Sequence, residues 1–426
     1  MSILDSIRKK FPGFVLWTHK MRGVLAYLIF GRLTQNLKII GVTGTNGKTT
    51  TCFMVTSILE ADGKKVGMSS TTTFKIGSNV WQNKTNKTTL SPFRLQKMLA
   101  RMVKEGCEYA VVETSSHAII QHRNWGLKYY GLAMTNIEPE HLDYHKNLSQ
   151  YVAAKAQIFA RNPAVAVVNL DDEQADKFLH FSAGKVLTYS TKKIADIVAR
   201  KILPDLKGMI FTLVTPEGQT SIALKLTGIF NVENALCASA LAVGMGIKLS
   251  KIKMGLEAMN PVPGRMEKVD EGQKFNVIID YAVTPKSFEK IYSQIKKITS
   301  GKLIAVFGAT GDRDRSKRPK LGEAADKLAD VVILTDEEPY SEDPARIIEE
   351  VAEGIKNKKL EENYFKIMNR EQAIAKALSL ASEGDSVVVT GMGDQSYRIV
   401  GKRKIPYSER KVIKIELNKL GFKKKR

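Results

Sequence analysis

The chain has 426 residues, 43% apolar and 26% charged. That is the balance of a soluble globular protein of two or three domains, large enough to form cores without disulfides or structural metals. The formal net charge of +22 suits an anionic ligand such as a nucleotide, but also nucleic acid or an anionic membrane.

The start, "MSILDSIRKKFPGFV", carries charge where a signal peptide needs an apolar core. The run Val24–Phe30 that follows is too short to span a bilayer. Lys20, Arg22 and Arg32 flank it. A helix packed on the next domain is the simpler expectation, and weak contact with a membrane surface the sharper one. Cys52, Cys107 and Cys237 are far apart and odd in number, which fits a reduced, cytoplasmic protein.

"LKII" precedes "GVTGTNGKTTT" (Gly41–Thr51), and "TCFMVTSILEADG" reads as a helix ending at Gly63. Strand, glycine turn, Lys-Thr and helix stand in the order of a phosphate loop. Backbone N–H groups of Gly44, Thr45, Asn46, Gly47 and Thr50 would cradle phosphate, Lys48 would reach its terminal oxygens and Thr49 would bind Mg²⁺. Five residues rather than four separate Gly41 from Gly47.

"YAVVETS" puts Glu113 at the tip of a buried strand, where a carboxylate can meet the same metal. "GLAMTNI" and "AVAVVNLDD" repeat the form, which argues for a doubly wound α/β sheet. In "TNIEPEHLDYH", His141 and His145 bracket Asp143 without the closed His/Cys set of a zinc site. His141 is either a structural histidine or a ligand. In "YVAAKAQIF", Lys155 sits among alanines. It either extends to solvent or is buried and then neutralised, paired or chemically changed.

"MNPVPGRME" (Met259–Glu267) breaks the periodicity. "FNVIIDYA", "KLIAVFGATGD", "DVVILTDEEP" and "DSVVVTGMGDQ" then restart a second α/β domain. The tail "GFKKKR" reads as a solvated end, and no aromatic-and-basic repeat points to a nucleic-acid partner.

"GVTGTNGKTTT", "ETSSHAI", "TNIEPEHLDYH", "YVAAKAQIF", "GIFNVENALCA" and "PGRME" follow one another as in the Mur ligases, and the chain resembles the UDP-N-acetylmuramoyl-tripeptide synthetase branch. The resemblance implies a central ATP-binding domain (38–263) with a P-loop sheet, a Rossmann-like C-terminal domain (264–426) and a short N-terminal helical segment (1–37). It implies a monomeric ligase that uses ATP to convert the carboxylate of UDP-muramoyl-L-Ala-D-Glu to an acyl phosphate, which the amine of a diamino acid (meso-diaminopimelate or lysine) attacks. Lys48 and Thr49 would hold phosphate and Mg²⁺, Glu113 would ligate metal, and His141 would bind a second Mg²⁺. Lys155 would be carbamylated. Asn231 and Asn234 match positions beside adenine. Arg265, Asp280 and Arg313 match further nucleotide contacts. Thr88, Thr89, Ser115 and Arg123 match positions near the muramoyl dipeptide.

The chain also departs from that branch. Only 40 residues precede Gly41, so the uridine-holding domain is expected to be largely lacking. "EEPY" (Glu337–Tyr340) replaces "DNPR", so Glu338 and Tyr340 would change the amino-acid pocket, and "GMGDQ" (Gly391–Gln395) replaces "GKGHE". "DYAVTP" has Val283 in place of a histidine. Two alternatives stand beside the main reading. One is a related ligase with a lipid-linked or polyamide acceptor. The other is a basic P-loop ATPase on nucleic acid or membrane.

Overall fold

The computed structural model describes residues 12–205 and 208–424, without the side chains at 12, 142, 143 and 205. The first eleven residues of the expected N-terminal segment, and Lys425 and Arg426 of the tail, lie outside it. Chain contacts divide the molecule into two units. The first runs to Pro139 and includes His145–Lys225 and Ile229–Asn260. The second comprises Glu140–Tyr144, Leu226–Gly228 and the chain from Pro261 onward.

The first unit opens with helix α1 (Pro12–Phe30). Strand β1 (Lys38–Thr43) leads through the glycine turn into α2 (Lys48–Ala61). Gly63, at φ 78°, follows the end of that helix. Then come β2 (Val66–Ser69), the hairpin β3 (Thr73–Ile76) and β4 (Asn79–Gln82), α3 (Pro92–Lys104), β5 (Tyr109–Glu113), α4 (Ser116–Ile120) and β6 (Tyr129–Met134). Helix α5 (Leu148–Ala156), β7 (Val165–Asn169), β8 (Lys185–Ser190), β9 (Ile197–Asp205), β10 (Gly208–Thr215), β11 (Gly218–Leu224) and α6 (Ile229–Gly244) complete what the site needs.

All eleven strands form one sheet, in the order β11-β10-β9-β8-β7-β6-β1-β5-β2-β3-β4. The stretch from β9 to β2 is parallel and both its neighbouring edges are antiparallel. The parallel strands are near-continuous runs such as "KIIGV" and "YAVVE" because helices cover both their faces. β10 and β11 alternate buried and exposed residues instead, the mark of antiparallel strands with one solvated face. The strand–helix alternation in the sequence does not reveal this extension.

The second unit holds β12 (Glu267–Lys268), β13 (Asn276–Asp280), α7 (Pro285–Ile298), β14 (Leu303–Phe307), β15 (Val331–Leu334), β16 (Tyr364–Lys366) and β17 (Ser386–Thr390). Its sheet order is β12-β13-β17-β14-β15-β16, parallel except for β12. A hairpin, β18 (Tyr397–Val400) and β19 (Arg403–Pro406), follows. Thr284 caps α7 by accepting from the Ser287 N–H, with Pro285 at the first turn. The expected α/β architecture is the one the chain adopts. In both sheets the carboxyl ends of the parallel strands carry the polar loops.

Candidate active site

Parallel register builds the first half of the site. Val42 of β1 stands level with Glu113 of β5, so the glycine turn after β1 emerges beside the Glu113 carboxylate. Thr49, on the first turn of α2, donates to that carboxylate at 3.0 and 3.1 Å from its two oxygens. Thr71 donates its N–H at 2.7 Å and its hydroxyl at 2.8 Å. Glu113 is 1% exposed. A buried carboxylate is tolerable only with such donors.

The turn itself is fixed by its neighbours. The Thr45 N–H donates to the Asn136 carbonyl (2.7 Å), and the Asn46 N–H to Asn136 Oδ1 (2.9 Å). The Asn46 amide donates to the Glu138 carboxylate at 2.7 Å. Gly47 has φ 81°, and a Cβ there would lie 2.1 Å from Asn234 Oδ1, so only glycine fits. Asn234 also donates to Asn231 Oδ1 (3.2 Å). These two α6 asparagines thus stand under the turn. Gly44 is at φ 144°. Lys48 donates Nζ to the Thr45 carbonyl (2.6 Å), folded back over the turn. Thr50 is buried in the first turn of α2.

Lys155 resolves one open alternative, for it is buried at 2% exposure rather than extended to solvent. Its Nζ donates to the Gly44 carbonyl (2.6 Å) and lies 4.7 Å from the Tyr151 ring centroid. Tyr151 in turn shares a 3.0 Å hydrogen bond with the Thr45 hydroxyl. Thr49, Glu113 and Lys155 therefore all meet the same loop. His141, at φ 55° and 3.8 Å from Glu140, belongs to the segment that clusters with the second unit.

The residues expected near a muramoyl dipeptide adjoin Glu113. The Thr88 and Thr71 hydroxyls lie 3.1 Å apart, within hydrogen-bond distance. Thr89 donates to the Glu113 carbonyl (2.9 Å), and its hydroxyl accepts from the Ser115 N–H (3.1 Å). Arg123 donates to the Thr89 carbonyl (2.8 Å) and to Gln121. Sequence reasoning did not single out Thr71, Glu138 or Tyr151. Glu138 and Tyr151 lie inside motifs already quoted, so their polarity beside the named residues was a signal. Thr71 stands in a threonine run with none.

In the second unit the strand tips are acidic. Asp280 ends β13 and accepts from the Met266 and Ala282 N–H groups, both at 2.7 Å. Burial raises its pKa, with the Arg265 charge opposing. That guanidinium lies over the Tyr281 ring (4.4 Å). After β15, Glu337 accepts from Thr310 (2.7 Å) and adjoins Gly391. Burial raises its pKa too. Glu338 accepts from the Ile399 N–H (3.1 Å) and the Gln395 amide. Burial, and next the Glu337 charge, push its pKa up to about 7. Gln395 Oε1 is buried without a hydrogen-bond partner. Tyr340, at φ 50°, bonds Arg313 through its side chain. Glu337, Glu338, Gln395 and Tyr340 thus form a cluster rich in oxygen acceptors, with the Arg313 charge beside Glu338 and Tyr340.

Comparison with known proteins gives the family of both units. The family model described as the Mur ligase middle domain matches residues 42–242, and that of the Mur ligase glutamate ligase domain matches 264–393. A UDP-N-acetylmuramoyl-L-alanyl-D-glutamate–2,6-diaminopimelate ligase of Geobacillus thermodenitrificans is 38% identical over 405 residues, covering 93% of this chain and 82% of its own. A solved structure of a ligase with that name aligns at 32% identity and TM-score 0.64, over 95% of this chain and 82% of its own. The MurF ligase of Thermotoga maritima in complex with ADP shares the fold, with TM-score 0.69 at 19% identity, over 94% of this chain and 83% of its own.

Proposed function

Since the chain belongs to the Mur ligase family, and is thereby an ATP-using ligase that forms C–N bonds in peptidoglycan precursor synthesis, we propose that its acceptor is UDP-N-acetylmuramoyl-L-alanyl-D-glutamate and its amine donor a diamino acid. The names of its relatives support the acceptor. The single observation that carries the mechanism is the meeting of Thr49, Glu113 and Lys155 at one glycine turn.

Residues 38–263 are read as the ATP-binding domain, 264–426 as the C-terminal domain and 1–37 as an N-terminal segment. The protein is read as a cytoplasmic monomer that does not bind nucleic acid. In the ATP-binding domain, the N–H groups at the start of α2 and the Lys48 ammonium receive the polyphosphate. Asn231 and Asn234 stand by for the base. Thr49 and Glu113 offer the hard oxygen donors that Mg²⁺ prefers. A carbamate on Lys155 would turn a buried cation into a further anionic oxygen donor, and the buried setting of that lysine favours the exchange. By the family resemblance, His141 would be a ligand of the second Mg²⁺. These residues would hold Mg²⁺, which when bound would supply charge neutralisation for the transferring phosphoryl group.

Thr88, Thr89, Ser115 and Arg123 orient the acceptor, so that its carboxylate takes the phosphoryl group. The amine then attacks the acyl phosphate, the new C–N bond forms, and inorganic phosphate leaves with the bond electrons. Arg265, Asp280 and Arg313 contribute further nucleotide contacts. The acceptor-rich cluster of Glu338 and Gln395 receives the side-chain ammonium of the diamino acid, which brings the donors those oxygens lack.

Phosphate release is the test, with ATP, Mg²⁺ and UDP-muramoyl-L-Ala-D-Glu, adding lysine, ornithine and meso-diaminopimelate in turn and weighing the product. Turnover with one of them is expected. ATP binding with no turnover on any of them overturns the acceptor assignment.

A further inference from the structure

Helix α1 has its apolar residues on the wrong side for a helix that only packs on its own domain. At about 100° per residue, Gly23, Ala26 and Tyr27 fall on one face, and that face meets the loop at 122–126. A Cβ on Gly23 would lie 2.6 Å from the His122 carbonyl and 2.7 Å from Trp125 Cβ, and Ala26 is wholly buried. The opposite face should be polar. Instead Phe14, Trp17, Met21, Leu25 and Leu28 follow one another at helical spacing along it, all exposed, Trp17 at 56% and Leu28 at 68%. Phe14 and Trp17 stack at 5.9 Å.

The charges around this stripe have one sign. Lys20 and Arg22 flank it on its two sides, and Arg32 follows the helix. Residues 12–34 contain no Asp or Glu. Helix α3, against which α1 packs, exposes Arg94, Lys97, Arg101 and Lys104 along one side and also has no acidic residue. Lone apolar residues on a surface need no explanation, but a continuous stripe with an aromatic end does. Among the described residues no helix is long and apolar enough to cross a membrane. An apolar face bordered by cations is the form of a helix that lies in the headgroup region of a bilayer, where its stems reach acyl chain and its charges meet anionic headgroups.

We propose that α1 is a membrane-surface anchor. Its Phe14–Leu28 stripe inserts into the interface of a bilayer containing anionic lipid, with Lys20, Arg22 and the basic side of α3 drawn to the headgroups. This inference does not depend on the substrate reading above, since neither stripe includes a residue of the candidate site.

The test is co-sedimentation of the full chain with vesicles of phosphatidylcholine alone and with phosphatidylglycerol added, beside light scattering without lipid. Anionic vesicles should bind about tenfold more tightly than neutral ones, with binding weakened by salt and a blue shift of Trp17 fluorescence. The Trp17→Glu/Leu28→Glu variant should lose at least about tenfold in vesicle affinity, and it should keep its melting temperature and its ATP turnover. Arg94→Gln/Lys97→Gln, which leaves the stripe intact, should lose a smaller part. Equal binding to both vesicle types, or none at low salt, overturns the proposal. So does a dimer of the unaltered chain that Leu28→Glu dissociates, which would make the stripe an interface between copies.

Discussion

The glycine turn of the first unit and the acidic cluster of the second occupy the same place in their sheets, beyond the carboxyl ends of parallel strands, yet they treat a buried carboxylate in opposite ways. Glu113 accepts from two hydroxyls and one backbone N–H. Glu338 has one backbone N–H and one amide, with a second carboxylate beside it. The first carboxylate is held in a fixed direction by its donors, which suits the metal-ligand role proposed for it. The second is under-supplied with donors, so its proton is hard to remove until a cation arrives. Sheet topology supplies the position, and the local count of donors decides what the position can bind.

Lys48→Ala should have the largest effect. Among the described residues its ammonium hydrogen-bonds the Thr45 carbonyl within its own turn, so ligation should fall about 10²–10³-fold in kcat with little change in melting temperature. Unchanged turnover would remove the loop from the chemistry. Glu113→Gln keeps the shape but gives up the charge. It should cost about 10–100-fold in Mg²⁺ affinity, read from a magnesium titration of phosphate release.

Glu338→Gln should raise the KM of the diamino acid about tenfold and leave ATP affinity unaltered. The effect carries a pH signature. The folded pKa of Glu338, about 7, lies above the ordinary value of 4.5, so between those values the native state keeps a proton that the unfolded chain has released. Stability of the free protein should therefore fall as pH rises from 4.5 to 7, by on the order of 3 kcal/mol from this group. Glu337, raised for the same reason, leaves some of that slope in the variant. Amine affinity should run the other way and improve as pH climbs through 7. Parallel chemical denaturation and KM profiles read both trends, and a flat KM profile would break the contrast between the two carboxylates. Thr71→Val should have the smallest effect: about 1 kcal/mol of stability from one lost hydrogen bond, since its backbone N–H stays on Glu113.

The sequence by itself determined the strand–loop–helix order around Gly41–Thr51, the second α/β sheet and the family. These follow from local periodicity, from glycines whose backbone angles no other residue tolerates, and from motifs in a fixed order. Spacing also singled out Lys48 and Thr49 as candidates, because a phosphate loop carries those two groups side by side after its last glycine, whereas Glu113 was singled out by its place at a strand tip and by the family resemblance. Three things were decided only by tertiary structure. Lys155 is buried on the Gly44 carbonyl because α5 packs beneath the turn, whereas its alanine neighbours fitted a surface lysine equally well. Thr71 reaches Glu113 through the pairing of β2 with β5, a contact between residues 42 positions apart. The Phe14–Leu28 stripe is apolar in sequence, but which face of α1 turns outward depended on Gly23 seating against His122 and Trp125. Burial and contact between distant segments are set by packing, and packing is a property of the whole fold rather than of any local run of residues.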